Sequence, residues 1–145
     1  MKKIKSVFVN GPIPPEFIAN SIAKHQSKTA IGAHNIFLGQ IRADQQNNKE
    51  VKAINYTAYE DMANEVMYTI REETFEKFDL SCMHIYHSLG TVYQGEICLF
   101  VFVSAPHRKV TFEAIEYLVE RIKKEAPIYG KEIFSDESHQ WKVNT

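Results

Sequence analysis

A continuous apolar run followed directly by an amphipathic pattern constrains the fold of this 145-residue chain more than any other feature. The run, residues 97–103, predicts a buried strand. From Val110 onward, apolar residues recur at helical spacing. A helix is therefore predicted to begin near Pro106 and to run to about Glu125, where Ala126 and Pro127 end it.

The junction between this strand and this helix carries three basic side chains, His107, Arg108 and Lys109. In the first turn of a helix, unpaired N–H groups and the macrodipole favour anions, so three cations there cost stability unless an anion binds. We therefore favour a phosphate or carboxylate site at this junction. The alternative is that the three side chains simply extend into water.

The charge balance and the cysteines exclude some classes of function. Seventeen basic and eighteen acidic side chains give a net charge of −1, so no overall field attracts nucleic acid or acidic membranes. No apolar run approaches the ~18 residues that span a bilayer, and no secretory signal is recognisable. Cys82 and Cys98 lie within apolar strand patterns without Cys-x-x-Cys spacing, which favours reduced core residues in a cytoplasmic protein. The length fits a single domain, residues 1–145.

The order of the patterns predicts an α+β fold with a mostly antiparallel sheet and with helices packed on one face. Two pairs of consecutive strands, within residues 29–59 and 81–103, lack an intervening helix and are expected to be antiparallel. Residues 42–50 predict a mobile surface loop, and residues 136–145 a polar tail. Strands are predicted at residues 4–9, 29–38, 51–59, 81–87, 97–103 and 128–134, and helices after Pro14, from the capping residue Asp61 and near Pro106.

The histidines do not predict a metal site. Of the six, only His84 and His87 are close in sequence, and on a strand their spacing directs them to opposite faces. Zinc requires clustered ligands. The sequence also contains no P-loop, dinucleotide or nucleophile-elbow motif, so we expect neither a metal nor a nucleotide cofactor.

Several short segments, which come in one order between residues 4 and 141, together resemble one protein family. That family is the MoaE family, the large catalytic subunits of molybdopterin synthase. Each segment is weak alone, but their order and gaps make the resemblance specific. The segments are residues 39–42 (GQIR), 56–63 (YTAYEDMA), 87–90 (HSLG), 103–108 (VSAPHR) and 123–132 (KKEAPIYGKE), with Trp141 beyond them.

The resemblance implies an α/β-hammerhead-like fold and a homodimer that becomes a heterotetramer with two small ubiquitin-like subunits. The thiocarboxylate at the small subunit's C-terminal Gly-Gly would donate sulfur to cyclic pyranopterin monophosphate, forming the dithiolene of molybdopterin without a cofactor. Lys123 and Lys131 would be catalytic. The chain departs from the family at Gly130 and Ser88, where a lysine and an arginine are frequent. The implied substrate-binding residues are Gln40, Ile41, Arg42, His107, Arg108, Lys123, Gly130, Lys131 and Glu132.

One geometric consequence follows from helix dimensions alone. Lys123 lies fifteen residues after Arg108, so on one helix their Cα atoms are about 22 Å apart. A small substrate cannot contact both, so either the helix breaks or two subunits share the site; we predict a site shared across a two-fold interface. The alternative function is a non-catalytic dimeric module that binds a phosphorylated metabolite or an acidic peptide tail. A nucleic-acid binder is the weakest interpretation.

Overall fold

The structure, a computed structural model, describes residues 4–143. None of the helices in this range is long and apolar enough to cross a membrane. The helices are α1 (Pro15–His25), α2 (Glu60–Lys77) and α3 (Arg108–Glu125). The strands are β1 (Phe8–Asn10), β2 (Ala33–Gln40), β3 (Gln45–Gln46), β4 (Lys49–Ala58), β5 (Cys82–Tyr93), β6 (Ile97–Ala105), β7 (Ile128–Phe134) and β8 (His139–Trp141).

The strands form one eight-stranded sheet in the order β2-β6-β5-β4-β7-β8, with β1 paired to β5 and β3 paired to β4. Only the β1–β5 pairing is parallel within residues 4–143, which confirms the predicted α+β class and the mostly antiparallel sheet. β5 and β6 are antiparallel neighbours, as expected. β2 and β4 also run in opposite directions, but they are not neighbours, because β6 and β5 lie between them.

Strand β5 is longer than predicted and joins the two halves of the sheet. Its first part pairs with β6 up to His87, whereas residues 90–93 pair with β4. Gly90, where the change of partner occurs, has a φ of +85°, a conformation that glycine adopts without strain. The sequence predicted that this strand ends at residue 87, because Leu89 and Gly90 were interpreted as a turn. In the structure, Gly90 instead lies within the strand, where the chain changes its pairing partner.

The two faces of β6 are both covered, as its continuous apolar sequence requires. Leu99, Val101 and Val103 belong to the core beneath α2 and α3. The alternate residues Phe100 and Phe102 pack on the opposite face, against α1. The prediction that the helices pack on one face is therefore correct for α2 and α3 and wrong for α1.

Three local predictions need correction. Residues 42–50 are not an irregular loop: β3 and β4 form a hairpin there, and Asn47 and Asn48 adopt positive φ at its turn. The strand at residues 128–134 is not the last one, because β8 lies in the predicted polar tail and pairs with β7. Asp61 is not the cap of α2, since the cap is Tyr59 and Asp61 lies in the first turn.

Candidate functional site

A cavity of about 400 Å³ lies where the C-terminal end of α3 meets the beginning of β7. Pro127 ends the helix pattern and turns the chain into β7. Tyr56 of β4, His87 of β5 and Leu99 of β6 line the cavity from the sheet. Three lysines line it as well, Lys123 and Lys124 from the last turn of α3 and Lys142 just after β8. The cavity thus combines a sheet floor with three cationic side chains and one carboxylate, that of Glu125, which pairs with Arg121.

His87 is a buried, neutral component of this floor. Its Nδ1–H donates to the backbone oxygen of Ser88 at 2.7 Å, so Nε2 carries no proton in the neutral ring. Burial, with a further contribution from the positive charge of Lys123, lowers the pKa of His87 to about 4, although the Ser88 hydrogen bond opposes this shift. The ring is therefore uncharged near neutral pH.

Tyr56 and Cys98 form a second neutral pair beside the cavity. The Tyr56 hydroxyl donates to Cys98 Sγ at 3.6 Å, and the thiol donates to the backbone oxygen of Gly39 at 3.5 Å. Burial raises the pKa of both groups, whereas the charges of Lys123 and Lys142 act on the Cys98 thiol in the opposite direction. Because these neighbours are neutral, the lysines that line the cavity supply its positive charge.

Gly130 is positioned against this floor by its pairing with Tyr56. A Cβ atom at position 130 would lie 2.9 Å from Ile54 Cγ2 and 3.1 Å from Tyr56 Cε1. A side chain there would displace the Tyr56 ring, so only glycine allows β7 to approach β4 with this packing.

Exposed aromatic side chains continue from the cavity onto the surface. Tyr59, Tyr129 and Trp141 are 65%, 46% and 60% exposed, and the first two rings pack edge to face with centroids 5.9 Å apart. Together with Thr57 and Ala58 they line a second depression of about 500 Å³. Tyr129 and Trp141 border both depressions, so the apolar surface is continuous with the lysine-containing cavity. Exposed apolar surface of this kind indicates a docking site.

The structure brings two of the predicted residues, Lys123 and Gly130, into this cavity. His107 and Arg108 are exposed at the opposite end of α3, which is unbroken. His107 borders a separate depression of about 330 Å³ that also contains Asp79 and Glu113. A break in the helix is therefore excluded as a way to unite these residues within one chain.

Arg42, Gln40 and Ile41 lie at the end of β2. Arg42 is exposed and pairs with Asp44 at 3.3 Å. Gln40 is exposed as well, whereas Ile41 is buried, and its backbone N–H donates to the backbone oxygen of Glu96. Neither Gln40 nor Arg42 lines the cavity at the end of α3.

Neither Lys131 nor Glu132 lines the cavity. Lys131 places its ammonium nitrogen 5.3 Å from the centre of the Trp141 ring, on the other face of β7 from Gly130. The buried Glu132 carboxylate accepts hydrogen bonds from the side-chain amides of Gln46 and Gln140. Glu132 thus links β7 to β3 and β8.

Other residues of the cavity received no role from the sequence. Tyr56, His87 and Trp141 are among the residues on which the family resemblance was based, but no motif in the sequence predicted a functional role for them. Cys98 was interpreted only as a core residue, and Lys142 fell in the polar tail. No group of three or more histidine, cysteine, aspartate or glutamate side chains within residues 4–143 is arranged to hold a metal ion.

Comparisons with known proteins agree on one family. The family model described as "MoaE protein" matches residues 13–125. The chain is 38% identical over 130 residues to the molybdopterin synthase catalytic subunit of Bacillus subtilis, covering 90% of this chain and 79% of that protein. It is 34% identical over 128 residues to the corresponding subunit of Pyrococcus abyssi, covering 88% and 85%.

Solved structures give the same result. The crystal structure of molybdopterin synthase from Staphylococcus aureus matches with a TM-score of 0.81 and 30% identity, covering 95% of this chain and 96% of that one. A complex of subunits 1 and 2 of molybdopterin-converting factor from Helicobacter pylori shares the fold, with a TM-score of 0.77 and 18% identity over 92% of this chain and 87% of that one. The resemblance found in the sequence is confirmed.

Proposed function

Because this chain belongs to the MoaE family, the catalytic subunits of molybdopterin synthase, we propose that it transfers sulfur to cyclic pyranopterin monophosphate. The sulfur donor is the C-terminal thiocarboxylate of a small ubiquitin-like subunit. In each transfer the carbon–sulfur bond of the thiocarboxylate breaks, and a carbon–sulfur bond forms on the pterin side chain in place of a carbon–oxygen bond. The displaced oxygen leaves as water or stays on the opened phosphate. Water supplies the oxygen that replaces sulfur on the tail, which leaves as a carboxylate. Two transfers produce the dithiolene. We place this activity in the cytoplasm, consistent with two free cysteines.

The single observation that carries this proposal is the lysine-containing cavity at the end of an apolar surface. An extended Gly-Gly tail has little side-chain volume and ends in an anion. The aromatic surface of Tyr59, Tyr129 and Trp141 offers the tail contact area, and the cavity offers its terminus a positive charge.

Lys123 is the proposed catalytic residue. It lines the cavity, and its positive charge lowers the pKa of both His87 and Cys98. There it stabilises the negative charge of the thiocarboxylate and the oxyanion that forms when the acyl carbon is attacked. We propose that Lys131 acts from the rim, where it orients Trp141.

Binding of the pterin substrate requires a second copy of the chain in this proposal. Arg42, His107 and Arg108 carry charges that suit a cyclic phosphate, but α3 holds the last two about 22 Å or more from Lys123. A two-fold homodimer brings these groups from one protomer to the Lys123 cavity of the other, with Gln40, Ile41 and Glu132 supporting the neighbouring backbone. Two small subunits complete a heterotetramer.

A reconstitution assay tests the proposal. The full chain is incubated with thiocarboxylated small subunit and cyclic pyranopterin monophosphate, and molybdopterin is quantified. We expect the wild type to form product and Lys123→Ala to lose about 10²–10³-fold in turnover, the usual cost of removing one group that stabilises an oxyanion. Lys24→Ala, which removes an exposed charge in α1 on the opposite face of the sheet, serves as the matched control.

The alternative is a dimeric module that binds the same ligands without sulfur transfer. The absence of a side chain at Gly130 favours it, since this position contributes no charge to the cavity. Binding of the cyclic pterin by the wild type, together with no product from a thiocarboxylated small subunit, would support the module and contradict the enzyme.

A further inference from the structure

We propose that Lys142 is a second anion-binding residue of the cavity and that, together with Lys123, it holds the terminal carboxylate or thiocarboxylate of the incoming tail. This inference rests on the proposed function and deepens it, because it assigns a group that contacts the tail. It depends on three observations: the position of Lys142 on the sheet, its electrostatic environment and the shape of the cavity beside it.

The backbone fixes the position of Lys142. Its N–H donates to the backbone oxygen of Gly130 at 2.8 Å, which extends the β7–β8 pairing by one step beyond Trp141. Because side chains alternate along a strand, Lys142 lies on the face opposite to that of Trp141 and Lys131. That is the face of Gly130. Lys142 and Gly130 both line the cavity, as does the exposed Trp141 ring from its edge, whereas Lys131 does not.

Gly130 contributes no side chain to the cavity, whereas Lys142 does. A Cβ at position 130 would collide with Ile54 and with the Tyr56 ring, so β7 itself cannot present a charged group at this point. The end of the adjacent strand β8 can present a charged group, because Lys142 directly follows β8, pairs with Gly130 through its backbone and lines the cavity. The cation at this side of the cavity therefore comes from the chain segment after β8.

The charge of Lys142 acts inside the cavity. Burial raises the pKa of the Cys98 thiol, and Lys142 is one of the two cations that oppose this shift, the other being Lys123. Within residues 4–143, Lys142 forms no ion pair with a carboxylate. Lys124 and Glu125 also line the cavity but are exposed, and the Glu125 carboxylate pairs with Arg121. The half-buried ammonium groups of Lys123 and Lys142 approach the same cavity, and an anionic ligand between them offsets their mutual repulsion.

The experiment measures binding of the small subunit with an unmodified C-terminal carboxylate to the full chain by calorimetry. We expect Lys142→Ala to weaken binding about tenfold, Lys142→Arg to stay within about threefold of the wild type, and Lys24→Ala to match it. In the sulfur-transfer assay, Lys142→Ala should raise KM for the small subunit by a similar factor with less effect on kcat. Thermal unfolding of each variant verifies that it is folded.

The outcomes separate this inference from the proposed function. If the wild type forms molybdopterin and Lys142→Ala binds within twofold of it, the role of Lys142 is refuted and the function stands. If the wild type neither binds the small subunit nor forms product, the proposed function fails. The placement of Lys142 can still be tested in that case. Lys142→Ala should raise the pKa of the Cys98 thiol, which is measured from the ¹³Cβ chemical shift of Cys98. An unchanged pKa of Cys98 contradicts the placement.

Discussion

The buried His87 beside the cavity predicts a specific dependence of stability on pH. Its pKa is lowered from 6.5 to about 4 in the folded protein, mainly by burial. Between these values the unfolded chain binds a proton that the folded chain does not. The free energy of unfolding should therefore have its full value above about pH 6.5 and decrease as the pH drops toward 4.

The magnitude follows from the two pKa values. At about 1.4 kcal/mol per pH unit, a pKa of about 4 in place of 6.5 corresponds to a loss of roughly 3 kcal/mol by pH 4. The side chain is 6% exposed, so solvent screening reduces this figure little. A loss of this size is a large fraction of the stability of a typical domain.

Urea unfolding at a series of pH values between about 7 and 4.5 measures this effect, with His87→Gln as the comparison. His84, whose pKa burial also lowers to about 4, and the acidic side chains contribute equally to both proteins, so the difference between the two curves isolates His87. We expect the variant to be less stable at neutral pH and to lose less stability on acidification. Parallel curves for the two proteins would refute the assignment of a buried, neutral His87.

Three further predictions concern the site and its supports. Mixing equal amounts of Lys123→Ala and Arg108→Ala should restore about a quarter of the wild-type rate. About half of the dimers formed at random are heterodimers, and each heterodimer has one intact shared site of two; no recovery contradicts a shared site. Gly130→Ala should lower the free energy of unfolding by about 1–3 kcal/mol in urea titrations because its Cβ would lie 2.9 Å from Ile54, and an unchanged midpoint would contradict this packing. Arg121→Ala should lower it by about 1 kcal/mol, since Arg121 bonds carboxylates on both α2 and α3; a loss in calorimetry no larger than that of Lys24→Ala would argue against this link.

The elements that local patterns determine were predictable from the sequence. The apolar run at residues 97–103 predicted a buried strand, and β6 is buried on both faces. The helical spacing after Pro106 and the stop at Pro127 predicted α3, and β7 spans the residues predicted for it. These signals are local, because the spacing of apolar residues and the effect of a proline on the backbone involve only residues that are close in the sequence.

The arrangement of the strands was not predictable by the same means. Nothing local to residues 33–58 specifies that β2 and β4 are separated by the β5–β6 hairpin, since strand pairing is a non-local property. The site shows the same limit. Family resemblance indicated Lys123 and Gly130, but Lys142 reaches the cavity only because β8 pairs with β7, and its polar neighbours gave no strand signal.

Lys123 and Lys142 reach one cavity by different structural routes, and the difference bears on what the cavity binds. Lys123 lies in the last turn of α3, where the helix macrodipole stabilises a cation even without a ligand. Lys142 lies beyond a strand, without a helix dipole and without a carboxylate partner among residues 4–143. Placing it in the same cavity as Lys123 costs electrostatic free energy. An anionic ligand in the cavity offsets this cost, which is the physical reason to regard the cavity as the site of an anionic ligand.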